Sequence, residues 1–122
     1  MSDGAAPRAT EIRVKQAEKA LEVDFDDGRS FRYPAEFLRV FSPSAEVQGH
    51  SPADRQLVHG RRHVGIVEVE PVGNYAIRIT FDDMHETGIY SWRTLHDYGV
   101  EMDTMWADYL AELEAKDLSR DP

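Results

Sequence analysis

Cysteine is absent from this 122-residue chain. That excludes disulfides, thiolate nucleophiles and the commonest structural zinc sites, and it fits a reducing compartment. Long apolar runs are absent as well. No stretch approaches the roughly 20 residues of a membrane-spanning helix. The first residues, Met1 to Pro7, are small and polar with an acid at Asp3. They lack the basic start and apolar stretch of a secretory signal, so a cytoplasmic location is expected. Positive charge is scarce: 14 Lys and Arg stand against 23 Asp and Glu, for a formal charge of −9. Such a surface repels phosphate backbones and anionic lipid, which argues against nucleic-acid and membrane partners and favours basic ones.

Catalytic signatures are missing too. There is no phosphate-binding Gly-rich loop, no Gly-x-Gly-x-x-Gly and no Gly-x-Ser-x-Gly. None of His50, His59, His63, His85 or His96 begins a His-x-Asp/Glu motif, which the facial triad of an oxygenase would need. The chain suits one domain with one modest core. No enzymatic activity and no obligatory cofactor are expected.

The residues present describe an α+β fold. Residues 1–10 read as a disordered tail, 11–116 as one domain and 117–122 as a frayed end. Ile12 and Val14 start either a first strand or a short turn. Ala20 to Phe25 alternates apolar and acidic residues, the period of a half-buried strand. Asp27-Gly28 signals a hairpin turn, and Ser30 to Tyr33 returns. Pro34 suits a helix start, and Phe37, Leu38 and Phe41 follow at helical spacing. Ser42 to His63 has almost no periodicity, and a loop this long inside a small domain is usually functional or disordered. Val64 to Val72, Tyr75 to Phe81 and Thr87 to Trp92 read as strands, the last two joined by the acidic turn Asp82 to Glu86. Ser91 is placed to cap a short helix over 92–98 that Gly99 ends. Met102, Met105, Trp106, Tyr109, Leu110 and Leu113 recur at three- and four-residue steps, so an amphipathic helix is predicted over about 103–116. A mainly antiparallel sheet built from two hairpins, about 20–33 and 64–91, is expected, with this helix closing one face.

Two segments carry a resemblance. Phe37-Leu38-Arg39-Val40-Phe41-Ser42-Pro43-Ser44-Ala45-Glu46-Val47 is the first. The second is Gly73-Asn74-Tyr75 with Asp82-Asp83-Met84-His85-Glu86-Thr87-Gly88-Ile89-Tyr90-Ser91. Together they resemble the γ-butyrobetaine hydroxylase-like N-terminal domains, over about Ala20 to Gly99. The resemblance implies a small β-rich unit found on some 2-oxoglutarate oxygenases, beside certain P-loop ATPases linked to iron–sulfur work, and as free-standing bacterial proteins. In the oxygenases it implies a zinc-holding module with three cysteines after the Leu-Arg element and one histidine from the later turn. Here those positions hold Ser42, Ser44 and Val47, and only His85 matches. A serine hydroxyl is a poor zinc ligand and valine is none, so the inherited site is expected to be lost.

Candidate site residues follow. His85 sits among Asp82, Asp83 and Glu86, where it could hold a metal, act as a base, or simply bond to a neighbouring carboxylate. His59 and His63 are four apart in the long loop, but Gly60 between them disfavours a helix. With His85 they form the metal alternative, zinc or iron. Arg55, Arg61 and Arg62 concentrate positive charge and could grip a carboxylate or phosphate. Met105, Trp106 and Tyr109 read as core or as a docking face, since methionine and aromatics recur at interfaces. The leading expectation is a non-catalytic accessory module that binds another protein, and a metal-binding accessory protein is the alternative.

Overall fold

Alternation becomes two antiparallel meanders. The computed structural model describes residues 7–43, 57–83 and 86–122. The first meander is β1 (Ala9–Lys15), β2 (Ala20–Phe25) and β3 (Ser30–Pro34), in the order β1-β2-β3. The second is β4 (Ile66–Val72), β5 (Ala76–Phe81) and β6 (Glu86–Ser91), in the order β4-β5-β6. Between them lies α1 (Ala35–Val40), and α2 (Trp92–Ala115) follows the second. The α+β expectation holds, with two separate three-stranded sheets in place of one built from two hairpins. Of the two readings of Ile12 and Val14, the strand is the one formed: they pair with Val23 and Leu21. Asp27-Gly28 makes the β2–β3 turn, with Gly28 at φ 88°, a conformation glycine adopts cheaply.

The two faces of the first sheet differ as the alternation requires. Leu21, Val23 and Phe25 point inward and are buried. Outward, Arg13 stands opposite Glu22, with Arg32 on the far side of the same residue. Arg13 donates to Glu22 at 2.9 Å and to both oxygens of Asp24 at 2.9 and 3.0 Å. Arg32 donates to Glu22 at 2.7 Å and to Glu18 at 2.5 Å. Arg13, then Arg32, hold the Glu22 carboxyl below its ordinary value, and Arg13, then Ser30, do the same for Asp24. A carboxyl lowered on folding stabilises above its unfolded pKa of about 4 and loses that stabilisation as pH falls through its folded value. The melting temperature should therefore fall below about pH 5, less steeply in Arg13→Ala and less steeply in high salt. Superimposed pH profiles for wild type and Arg13→Ala would rule out this ladder as the cause.

One buried cluster joins both sheets and both helices. It contains Leu21, Val23, Phe25 and Tyr33 from the first sheet, and Ile77, Ile79, Phe81 and Tyr90 from the second. Phe37 and Leu38 enter from α1 and Leu95 from α2. Every residue of α1 is buried, including Glu36 and Arg39. Such charges need partners, and both have them: Glu36 meets Arg120, and Arg39 meets Asp83. The last turn of α1 leaves carbonyls without helical partners. Tyr90 donates to the Leu38 carbonyl and Tyr98 to that of Phe41, at 2.5 and 2.8 Å. Tyr33 donates across to the Leu95 carbonyl of α2. Burial pushes the Tyr33 hydroxyl well above its ordinary value, keeping it a donor.

One expectation is corrected toward the C-terminus. Gly99 does not stop a short helix; α2 runs unbroken for 24 residues. Ser91 does cap it, accepting from the Thr94 N–H at 3.1 Å. Gly99 is needed for closeness: a Cβ there would lie 2.3 to 2.6 Å from three atoms of the Phe31 ring. Residues 117–122, expected to fray, make contacts with the 57–62 segment and with α1. The Gly60 N–H donates to Ser119 and the Arg62 N–H to Arg120, both at 3.0 Å. The Arg120 side chain donates twice to Glu36, at 2.7 and 2.8 Å, and lies 5.3 Å above the Trp106 ring. No helix among the described residues is long and apolar enough to cross a membrane.

Candidate functional site

The basic cluster is already engaged. Asp83 is approached by Arg39 and Arg61, each at 2.8 Å. The Arg39 contact is a directed hydrogen bond; the Arg61 Nε lies at ion-pair distance without one. Arg62 pairs with Asp121. Both arginines therefore help close the 57–63 segment onto the rest of the fold, and reversing their charge acts on stability as well as on any partner. Arg55 lies outside the described residues.

His59 and His63 are exposed, and His85 lies outside the described residues. His63 lines a shallow cleft of about 170 Å³ with Asp82, Asp83 and Arg61. Among the described residues, no group of three or more His, Asp or Glu is placed to hold a metal ion. Ser42, at an inherited ligand position, is fully buried.

The helical stripe is divided. Tyr109 is only 2 % exposed. It packs with Val40 and Leu113, and its hydroxyl donates to the Val58 carbonyl at 2.8 Å. Burial first, then the nearby Glu36 charge, push that hydroxyl up to about 12. Tyr109 is thus a core residue that anchors the loop, and it leaves the docking set. Met105 and Trp106 are half-buried against the core. Trp106 tilts over Tyr109 at 5.0 Å and faces Phe37 at 6.3 Å. Beside it a cleft of about 200 Å³ opens between Pro34, Phe37, Met102, Asp103 and Trp106. Leu110, one turn beyond Trp106, is 40 % exposed.

A second, larger groove lies where no motif pointed. It has a volume of about 510 Å³ and is lined by Arg8, Asn74, Tyr75, Ser91, Trp92 and Arg93, with Pro7 at its edge. The turn after β4 carries Tyr75, the start of α2 carries Trp92 and Arg93, and the residues before β1 bring Arg8. The Trp92 indole N–H donates to the Asn74 carbonyl and its backbone N–H to that of Tyr75, each at 3.0 Å. Gly73, at φ 55°, keeps the turn tight against the Tyr75 ring, 3.0 Å from where a Cβ would sit. Arg8 and Arg93 are some 85 positions apart, so only the folded chain brings them to one place.

Arg39, of the Leu-Arg element on α1, meets Asp83 in the turn that follows β5. The sequence pattern described as gamma-butyrobetaine hydroxylase-like, N-terminal, matches residues 12–96. The chain belongs to this family. Solved structures of similar sequence share the fold described above. One solution NMR structure is 44 % identical, covering 97 % of this chain and 93 % of its own, with a TM-score of 0.84. A second is 42 % identical over all of this chain and 91 % of its own, with a TM-score of 0.83. A crystal structure from Acidithiobacillus ferrooxidans, of a protein of unknown function in the DUF971 family, is 41 % identical. It covers 72 % of this chain and 88 % of its own, with a TM-score of 0.60. No curated protein matches the chain. In this γ-butyrobetaine hydroxylase-like domain the matched region ends just inside α2, so most of α2 and the 117–122 return lie beyond the shared pattern.

Proposed function

We propose that this domain is a non-catalytic accessory module that binds another protein, acting in the cytoplasm. The reading is supported above all by the cleft between Pro34, Phe37, Met102, Asp103 and Trp106. It is mostly apolar and has room for one large side chain of a partner, and Leu110, four residues beyond Trp106 on the same helix, is exposed. Interfaces draw their affinity from a few such anchors of aromatic and apolar residues. The cationic 57–63 segment, by contrast, is spent on contacts within the fold.

The test is affinity capture from the source cell with wild type and with Met102→Glu/Leu110→Glu. A charge at each position opposes burial of an apolar partner. A partner held by wild type should be lost or bound at least about tenfold more weakly by the variant. The melting temperature must stay within a few degrees for the comparison to count, and Leu110→Glu alone serves if Met102→Glu unfolds the core. Equal capture by both proteins, or no specific capture by wild type, would refute this reading.

A further inference from the structure

Every described arginine except two approaches a carboxylate within 4.0 Å: Arg13, Arg29, Arg32, Arg39, Arg61, Arg62, Arg78 and Arg120. Arg8 and Arg93 have no such partner among the described residues, and they line the same groove. In a chain with 23 acidic residues, two unmatched guanidinium groups on one surface need a reason. The groove floor is aromatic. Tyr75 is 55 % exposed, and Trp92 is half-buried with its indole fixed by the bond to Asn74. Such fixed rings offer apolar area with little ordering cost.

We propose that this groove takes an acidic peptide segment of a partner protein. An aromatic or apolar side chain of the peptide lies on Tyr75 and Trp92, and flanking carboxylates meet Arg8 and Arg93. The overall charge of −9 favours basic partners at long range, so the acidic specificity is local and depends on these two arginines. A small molecule fits less well: small-ligand sites enclose most of their ligand, and a groove floored by a tyrosine more than half exposed does not. Single-stranded nucleic acid also pairs stacking with arginine, but it brings a phosphate with every base to a strongly acidic protein. The proposal rests on the reading of this domain as a protein-binding module. It shares no residue with the Met102–Trp106 cleft, so either can fail alone.

The experiment is an amide NMR titration of the full chain with a blocked Asp-Glu-Phe-Glu-Asp peptide. Its comparison probes are the all-lysine analogue, a short oligothymidylate and inorganic phosphate. Saturable shifts are expected at Tyr75, Trp92, Arg93 and the Trp92 indole, with Met102 and Trp106 unmoved. Binding should weaken about tenfold in Arg8→Glu/Arg93→Glu, the order expected for two exposed charge contacts reversed together. Should that variant lose its dispersed spectrum, Arg8→Gln/Arg93→Gln takes its place. The proposal is overturned by absence of saturation, by equal binding to the variant, or by shifts confined to the Met102–Trp106 cleft. It is equally overturned if the lysine analogue, oligothymidylate or phosphate binds as tightly as the acidic peptide.

Discussion

Arg120→Ala is expected to lower the free energy of unfolding by about 2–3 kcal/mol, a large loss for a residue two positions from the end. Its partner Glu36 is 6 % exposed, in the first turn of a helix that is buried on every side. Arg120 supplies two charge-assisted bonds to that carboxylate and covers the Trp106 ring. Alanine would leave a buried carboxylate without its cation, which typically costs 3–5 kcal/mol. The Arg120 side chain is 29 % exposed, so water can partly take its place, and the figure is set below that range. Glu36→Gln should cost less, because it removes the buried charge and leaves a cation that can turn to solvent. In Glu36→Gln/Arg120→Ala the two losses should not add. Urea denaturation of the three variants measures all of this. A loss under about 0.5 kcal/mol for Arg120→Ala would mean that the end frays after all.

Gly99→Ala should also destabilise, by about 1–3 kcal/mol, although helix propensity alone favours alanine by about 1 kcal/mol. The new methyl would fall on the base and both flanks of the Phe31 ring, 2.3 to 2.6 Å away. That ring is already packed against Phe25, Tyr33 and His96, at 5.9, 6.2 and 5.8 Å. Its near end cannot swing aside without moving β3, so the helix must lift instead. Phe31→Ala should reverse the sign, making Gly99→Ala neutral or favourable in that background. If Gly99→Ala raises the melting temperature of the otherwise wild-type protein, the close approach is not a constraint.

The unbroken course of α2 marks where sequence reasoning stops. Alternation in Ala20 to Phe25 and Ala76 to Phe81 located the strands because one face of each is buried, and that periodicity is local. The meaning of Gly99 is not local: the same residue that ends a helix when nothing presses on it permits a helix to touch β3. Strand β1 admits two readings in sequence because Arg13 between Ile12 and Val14 acquires its purpose only once Glu22 and Asp24 lie across from it. The candidate site follows the same rule. A helical period identifies a stripe, but it cannot say that Tyr109 is covered by Val58 while Trp106 borders a cleft. Arg61 and Arg62 look free in sequence because Asp83 and Asp121 are distant along the chain. Arg8 and Arg93 carry no motif at all, and their common groove exists only after both meanders are in place.

Each meander pairs only strands that are neighbours in sequence. Such hairpins close over short loops and form early in folding. Among the bonds that cross between distant parts of the chain are five that tie the helices to the rest: Tyr33 to Leu95, Tyr90 to Leu38, Tyr98 to Phe41, Tyr109 to Val58, and Arg120 to Glu36. Four of the five are a tyrosine hydroxyl reaching a main-chain carbonyl. Folding of this domain is then expected to resemble docking, with two locally formed meanders and a long helix joined by phenols finding their acceptors. Contacts that form late in folding are the first to open on unfolding, so those phenol bonds are expected to give way before either sheet.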